Sequence, residues 1–419
     1  MRRAGPTPKS RRDRKPLFRP DEIPAVNWRY KHTALALCTL AFTATMVARL
    51  VISPLIPQIR LEFGVTNATV GLGLSGMWLA YALAQFPSGV LGDRYGERTV
   101  ILTAVGATAV ASLLIAASPS IVAFIVFAVV LGAGAGLHYS VATTFLTRQF
   151  DDIGRAIGVH VAGGPVAGLA APPLAALVGS RYGWRAGIAL GVAAAVPVFV
   201  LFAWRVRPTE PLRPDQAMRE RFAFGPLAEL LSRPRILYTT ALATMGAFTW
   251  QATASFLPSF LEFGTELSTA VSALLFSLYF LVHGATQPVT GSISDRIGRD
   301  ATVMATMAAG VVGYGLLVAA AEFGFGLRVT VVGVGFVGLA MSWGAPLQSR
   351  FMDLLSDAER GAGFGLVRTA YMVVGASGSV VVGAVSDAAG WTVAFGLLAG
   401  VMGLALTALA ANRLLGLGY

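Results

Sequence analysis

A run of mainly apolar residues, about 20 or more long, recurs twelve times along this chain, and that recurrence leaves few folds open. The runs lie near 33–58, 68–91, 99–118, 121–146, 156–178, 184–204, 236–261, 268–290, 301–321, 328–350, 361–385 and 391–412. Twenty helical residues rise about 30 Å, the thickness of a bilayer's hydrocarbon core. Within that core every backbone N–H and C=O must be paired inside its own element, so such runs are read as spanning helices. Charged residues make up only 13% of the chain, against about 25% in a soluble domain. Most of the 48 glycines fall inside the runs, where they let neighbouring backbones approach closely. We therefore expect an all-α membrane protein with twelve transmembrane helices.

Charge sets the expected topology. The net charge is +11, yet more than half of the 32 Lys and Arg residues lie between Arg2 and Lys31 or between Arg205 and Arg235. Clusters beside spans mark the cytoplasmic side by the positive-inside rule, which accounts for the charge without nucleic acid as a partner. The expected organisation is a basic cytoplasmic tail at 1–32, a six-helix bundle at 33–204, a cytoplasmic linker at 205–235, a second bundle at 236–412 and a cytoplasmic C-terminus at 413–419. The first run is too long for a signal-peptide core. Short loops suit a plasma membrane, with both termini cytoplasmic. The one cysteine, Cys38, allows no intrachain disulfide, and no Cys/His cluster has metal-ligand spacing, so neither metal nor cofactor is expected. A phosphate-binding G-x-x-x-x-G-K-[ST] run and any catalytic constellation are also missing from the sequence, which argues against a pump or an enzyme.

The chain also repeats itself. Gln85, Gly89, Asp93, Arg94 and Gly96 recur as Gln287, Gly291, Asp295, Arg296 and Gly298, each at an offset of 202. Gly183-Trp184 recurs as Gly390-Trp391 at 207, and Arg155 as Arg360 at 205. Three anchors at nearly one offset imply two homologous six-helix halves, with a substrate site between them near the midplane.

On these residues the sequence resembles the major facilitator superfamily over nearly all of the chain beyond the tail. Gly89-Val-Leu-Gly-Asp93-Arg94-Tyr-Gly96-Glu-Arg98 is similar to the family's signature loop between helices 2 and 3, and Gly291-Ser-Ile-Ser-Asp295-Arg296-Ile-Gly298 is its counterpart between helices 8 and 9. Gly89 suits close helix contact, Gly96 a tight turn, and Asp93 a helix N-terminus. The resemblance implies that Gly89, Asp93, Arg94, Gly96, Arg98, Gly291, Asp295, Arg296 and Gly298 form gating loops. Gly164-Pro165-Val-Ala-Gly168 resembles the glycine-proline motif of antiporters, with His160 and Leu169 departing from it; its alternative is a packing face. The family is commonly monomeric, and its helices 1, 4, 7 and 10 with parts of 2, 5, 8 and 11 line a central cavity.

Ionisable groups inside the runs are the candidate site, because a charge within the bilayer costs about 2.5–3.5 kcal/mol on insertion scales. They are Arg49 in run 1, His138 in run 4, His160 in run 5, His283 in run 8 and Arg368 in run 11, with Tyr81 as the repeat partner of His283. Arg49 has an alternative place at the outer interface, since run 1 reads as ending near Pro57. Glu62 and Glu262 sit at run ends, and no carboxylate is secure inside one. A cavity holding Arg49, Arg368 and histidines favours an anionic or carboxylate-bearing solute, with histidine carrying a coupling proton. The expected function is secondary transport of a small molecule by alternating access. A drug or metabolite efflux antiporter and a non-transporting sensor are the alternatives.

Overall fold

The computed structural model describes residues 30–212, 214, 225–356, 359 and 362–419. The tail up to residue 29, much of the basic linker and the anchor Arg360 lie outside the described residues. In chain order the helices are α1 (Tyr30–Leu50), α2 (Ile56–Phe63), α3 (Asn67–Tyr95), α4 (Glu97–Ala116), α5 (Ile121–Thr147), α6 (Ile153–Val161), α7 (Gly163–Tyr182) and α8 (Trp184–Arg205). After them come α9 (Gly225–Ser232), α10 (Pro234–Phe263), α11 (Thr269–Ile297), α12 (Arg299–Phe323), α13 (Gly326–Ala340), α14 (Gly344–Leu354), α15 (Ala362–Gly375) and α16 (Ser377–Leu414).

Among the described residues, nine helical stretches are long and apolar enough to cross a membrane. The last of them, Gly363–Leu414, breaks at Gly390, whose φ of +86° is open to glycine and strained for other residues. The 29-residue α3 and the 30-residue α10 are more polar but equally long, and bring the crossings to twelve. Both ends of the described chain then lie on one side, here the near side.

The repeated glycines now have a physical reason. Gly96 and Gly298 both take positive φ, +81° and +97°, between consecutive spans, and Gly183 at +83° matches Gly390. Helix starts are fixed by side chains: Thr66, Ser120 and Ser268 each accept from the backbone N–H three residues on.

Four spans are interrupted. The first does not end near Pro57: it passes through a 3-10 turn at Ser53–Leu55 into α2 and stops at Gly64, φ +62°. Pro54 and Pro57 occupy first-turn positions, where a missing N–H costs nothing. Similar breaks separate α6 from α7, α13 from α14 through Met341–Trp343, and α15 from α16. Short 3-10 stretches within long helices commonly mark hinges.

Helices α1 to α8 form one bundle and α10 to α16 the other. Small residues draw them tight. A Cβ on Gly132 of α5 would lie 1.9 Å from the Met77 carbonyl oxygen of α3, and one on Gly378 of α16 2.3 Å from the Phe248 carbonyl oxygen of α10. The bundles meet where α3 packs on α15 and α16, where α7 packs on α11, and where the Ser53–Leu55 turn packs on α10.

A candidate substrate site between the two bundles

Arg49 sits beside the first helix break and is buried. With α1 continuing into α2, it lies well inside the span and not at its end, so the interfacial placement fails. Its Nε donates to the Thr45 carbonyl at 3.0 Å and its Nη2 to Met46 Sδ at 2.8 Å. The guanidinium stacks over Tyr81 at 4.1 Å and Trp78 at 5.1 Å, two rings one turn apart on α3. Trp78 in turn meets Trp250 of α10 edge-on at 5.2 Å, which carries the cluster into the second bundle.

Arg368 approaches from that bundle. Its guanidinium lies 4.5 Å from the ring of Tyr139 on α5, and its charge reaches Tyr81 and Tyr371. Met372, one turn from Arg368 on α15, receives Gln85 Nε2 at 3.5 Å through its sulfur and Gln251 Nε2 at 3.3 Å through its carbonyl. Trp343, in the 3-10 turn between α13 and α14, meets Tyr371 at 6.3 Å. Among the described residues, neither Arg49 nor Arg368 forms an ion pair with a carboxylate. Buried Trp78 Nε1, Gln85 Oε1, Gln251 Oε1 and Trp343 Nε1 also lack hydrogen-bond partners. Buried polar atoms are rarely left so. Two cations and several unused donors and acceptors thus converge here from both bundles.

His138 and His160 are fully buried and lie 5.4 Å apart, centroid to centroid, both packed on Phe42. Arg49 is within electrostatic reach of His138. His283 stands apart. It is half-buried on α11 near Tyr279, beside the seam where Gly284 meets Pro165. Gly168 faces the Phe280 ring in that same seam, and Gly164 faces Phe42, so the glycine-proline motif lies where α7 packs on α11.

Arg98 and Arg299, at the ends of the two near-side loops, bond within their own bundles. Arg98 donates to the carbonyls of Val206 at 2.8 Å and Ala203 at 2.6 Å, closing the end of α8. Buried Glu97 pairs with Arg148 at 2.6 Å, and Arg94 lies on the Tyr95 ring. In the second bundle Arg299 pairs with Asp295 and with Asp353, and Arg350 with Asp300, while Arg296 is exposed. Gly96 makes the expected turn and abuts the Thr209 carbonyl. A Cβ on Gly89 would meet nothing within 4 Å, so the close helix contact expected there is absent. Gly92 makes one instead, against Val141.

On the far side the bundles are joined. Asp387 of α16 accepts from the first two amides of α3, Asn67 at 3.0 Å and Ala68 at 2.7 Å. Asn67 Nδ2 donates to Ser386 Oγ at 3.0 Å, the Val380 amide donates to Ser75 Oγ at 2.9 Å, and Ser53 Oγ donates to the Ser255 carbonyl at 2.5 Å. A carboxylate from one bundle thus caps a helix of the other. Asp387 lies two residues beyond the apolar run 361–385, and Trp78 and Tyr139 are aromatic residues within apolar runs that pass for packing, so none of the three stands out in the sequence. The spacing of Trp78 to Tyr81, one helical turn, was the available signal.

The Major Facilitator Superfamily profile matches residues 37–274 and 248–414. The chain belongs to that superfamily. "Multidrug resistance protein B homolog" of Mycobacterium tuberculosis is 32% identical over 180 residues, 41% of this chain and 33% of the relative. "Probable nitrate/nitrite antiporter" of Thermus thermophilus is 30% identical over 281 residues, 63% of this chain and 61% of the relative. The chain thus spans less than two thirds of either. A bacterial homologue of the human lysosomal transporter Spinster superposes with a TM-score of 0.75 at 15% identity, covering 92% of this chain and 97% of the other. Family and fold are those of membrane transporters rather than of enzymes.

Proposed function

We propose that this superfamily member is a secondary transporter that carries a small anionic or carboxylate-bearing solute across the plasma membrane by alternating access, coupled to protons. The observation that carries this is the pair Arg49 and Arg368, one from each bundle, stacked on aromatic rings and without a carboxylate partner among the described residues. A buried cation with no counter-charge is costly, and a bound anion supplies that charge from both sides at once. The near side, which adjoins the basic segments, is the cytoplasm, and both termini lie there. With the bundles joined on the far side by the Asp387 cap, the solute exchanges with the cytoplasm in this state. The Asp93 and Asp295 loops gate the opposite state, and the carrier works as a monomer. The Thermus relative's name, with nitrate and nitrite in it, supports an anionic cargo.

Efflux of drugs is the second reading, favoured by the aromatic lining of Trp78, Trp250 and Tyr371 and by the Mycobacterium relative's name. Counterflow in sealed proteoliposomes separates the readings. Vesicles preloaded with nitrate, sulfoacetate or glucuronate should accumulate the matching labelled anion, and Arg49→Gln should abolish this. Saturable binding without flux would identify a sensor, and counterflow of lipophilic cations alone would establish efflux.

A further inference from the structure

The Cys38 carbonyl is the one hydrogen-bond acceptor within reach of the His138 and His160 rings, so at least two of their four buried ring nitrogens are left without a partner among the described residues. Neutral imidazole needs a partner for its N–H and one for its lone pair, and leaving either unmet in a dry interior is costly. The surroundings are specific. Phe42 of α1 packs on both rings, Tyr139 of α5 lies 6.1 Å from His160, and the Cys38 carbonyl faces both histidines. Arg368 in turn stacks on Tyr139, so the pair is in contact with the groups around both arginines. Among the described residues no third His, Cys, Asp or Glu joins the pair in a metal-binding group. A proton is a ligand that two neighbouring imidazoles, with centroids 5.4 Å apart and rings tilted by 47°, can take up between them.

We propose that His138 and His160 together hold one proton, and that they take it up only when an anion occupies Arg49. This rests on the anion site proposed above. The ionisable groups around the pair are Cys38 on α1, Tyr139 on α5 and Arg49, which reaches His138 along the face of α1 that carries Phe42 and Met46, with Tyr81 of α3 beyond the Arg49 guanidinium and Arg368 of α15 beyond Tyr139. A proton on the pair and the charge of Arg49 repel through a medium of low dielectric. A bound anion cancels the Arg49 charge, and the repulsion goes with it. Linkage makes the effect reciprocal, so the proton tightens anion binding by the same factor. Anion and proton therefore bind as a pair and cross in the same direction. The coupling is symport, and a monovalent anion moves with its proton without net charge. Efflux antiport requires the opposite linkage.

The chain has only four histidines, so ¹⁵N-histidine spectra resolve the pair directly. In a His32→Asn, His283→Asn background the two remaining imidazoles are titrated from about pH 4 to about pH 8, around the range where histidine changes charge. Arg49→Gln should raise the midpoint of proton uptake by roughly one to three pH units, the effect of removing a neighbouring like charge. Arg49→Lys, which keeps the charge, should leave it in place. An unchanged midpoint in Arg49→Gln overturns the proposal. If Arg49→Gln does not fold, saturating nitrate, sulfoacetate or glucuronate must raise the midpoint in the background protein. An anion that stabilises the protein but leaves the midpoint unmoved overturns the coupling and spares the anion site. A midpoint that moves in Arg49→Gln, with no anion stabilising the protein, does the reverse.

Discussion

Arg49 is where function and stability oppose each other at the scale of one residue. A central guanidinium costs about 2.5–3.5 kcal/mol on insertion scales, and stacking on Tyr81 and Trp78 returns about 0.5–2 kcal/mol per contact. With each of the two contacts at the lower end of that range they return about 1 kcal/mol together, and the balance is met when an anion binds. Arg49→Met should therefore raise the melting temperature of the unliganded protein while removing any stabilisation by anions. A lower melting temperature in both conditions would make Arg49 a structural residue. Arg49, Arg368 and the histidines stand out in the sequence because a charge within an apolar run has no ordinary place to go. Their aromatic partners do not, since Trp78 and Tyr139 look like any ring in a membrane helix. Nor is the depth of Arg49 legible, because Pro54 and Pro57 read as a helix end when they in fact start new turns.

Between elements, close approach and one cross-bundle cap hold the structure in this state. Gly132→Val would drive a side chain into the Met77 carbonyl and should destabilise the α3–α5 pair by about 3 kcal/mol or more, a severe packing clash. Gly89→Ala, facing open space, should be close to neutral in the same thermal unfolding assay. Asp387→Ala removes a carboxylate that binds two amides at the start of α3, a loss of about 1 kcal/mol by analogy with helix caps. It should shift the protein away from the far-side-closed state. In a Cys38→Ser protein, a cysteine placed at buried Ser379 should then react faster with maleimide. Equal rates with and without Asp387 would show that the cap does not govern the closure. The repeat at an offset of 202 was legible because Gly96 and Gly298 must both adopt positive φ, which few other residues tolerate. The latch was not, because Asn67, Ser75, Ser386 and Asp387 acquire meaning only when the two bundles are brought together.

For the molecule as a whole, composition and run length already dictated a helical membrane fold, and doubling of the anchors dictated two halves. What neither supplies is which faces meet. One clamp within the second bundle offers a test by pH. Arg233, ahead of α10, pairs with Glu359, ahead of α15, at 2.7 Å, and with Ser356 it holds the Glu359 carboxyl down at about 2. An unfolded glutamate titrates near 4.3, so the folded value is depressed. Its contribution is complete above about pH 4.3 and is lost as pH falls through about 2. Melting temperature should fall over that window, and Glu359→Gln should flatten the fall while lowering stability at neutral pH.

The most direct measurement of the central claim, a cationic site shared by the bundles, is a thermal-shift screen of purified protein against small organic anions, lipophilic cations and neutral metabolites. A ligand at 100 times its Kd stabilises the folded state by about 2.7 kcal/mol, a shift easily read. We expect stabilisation by at least one anion, lost in both Arg49→Gln and Arg368→Gln. Stabilisation by lipophilic cations instead, unaffected by either substitution, would contradict it.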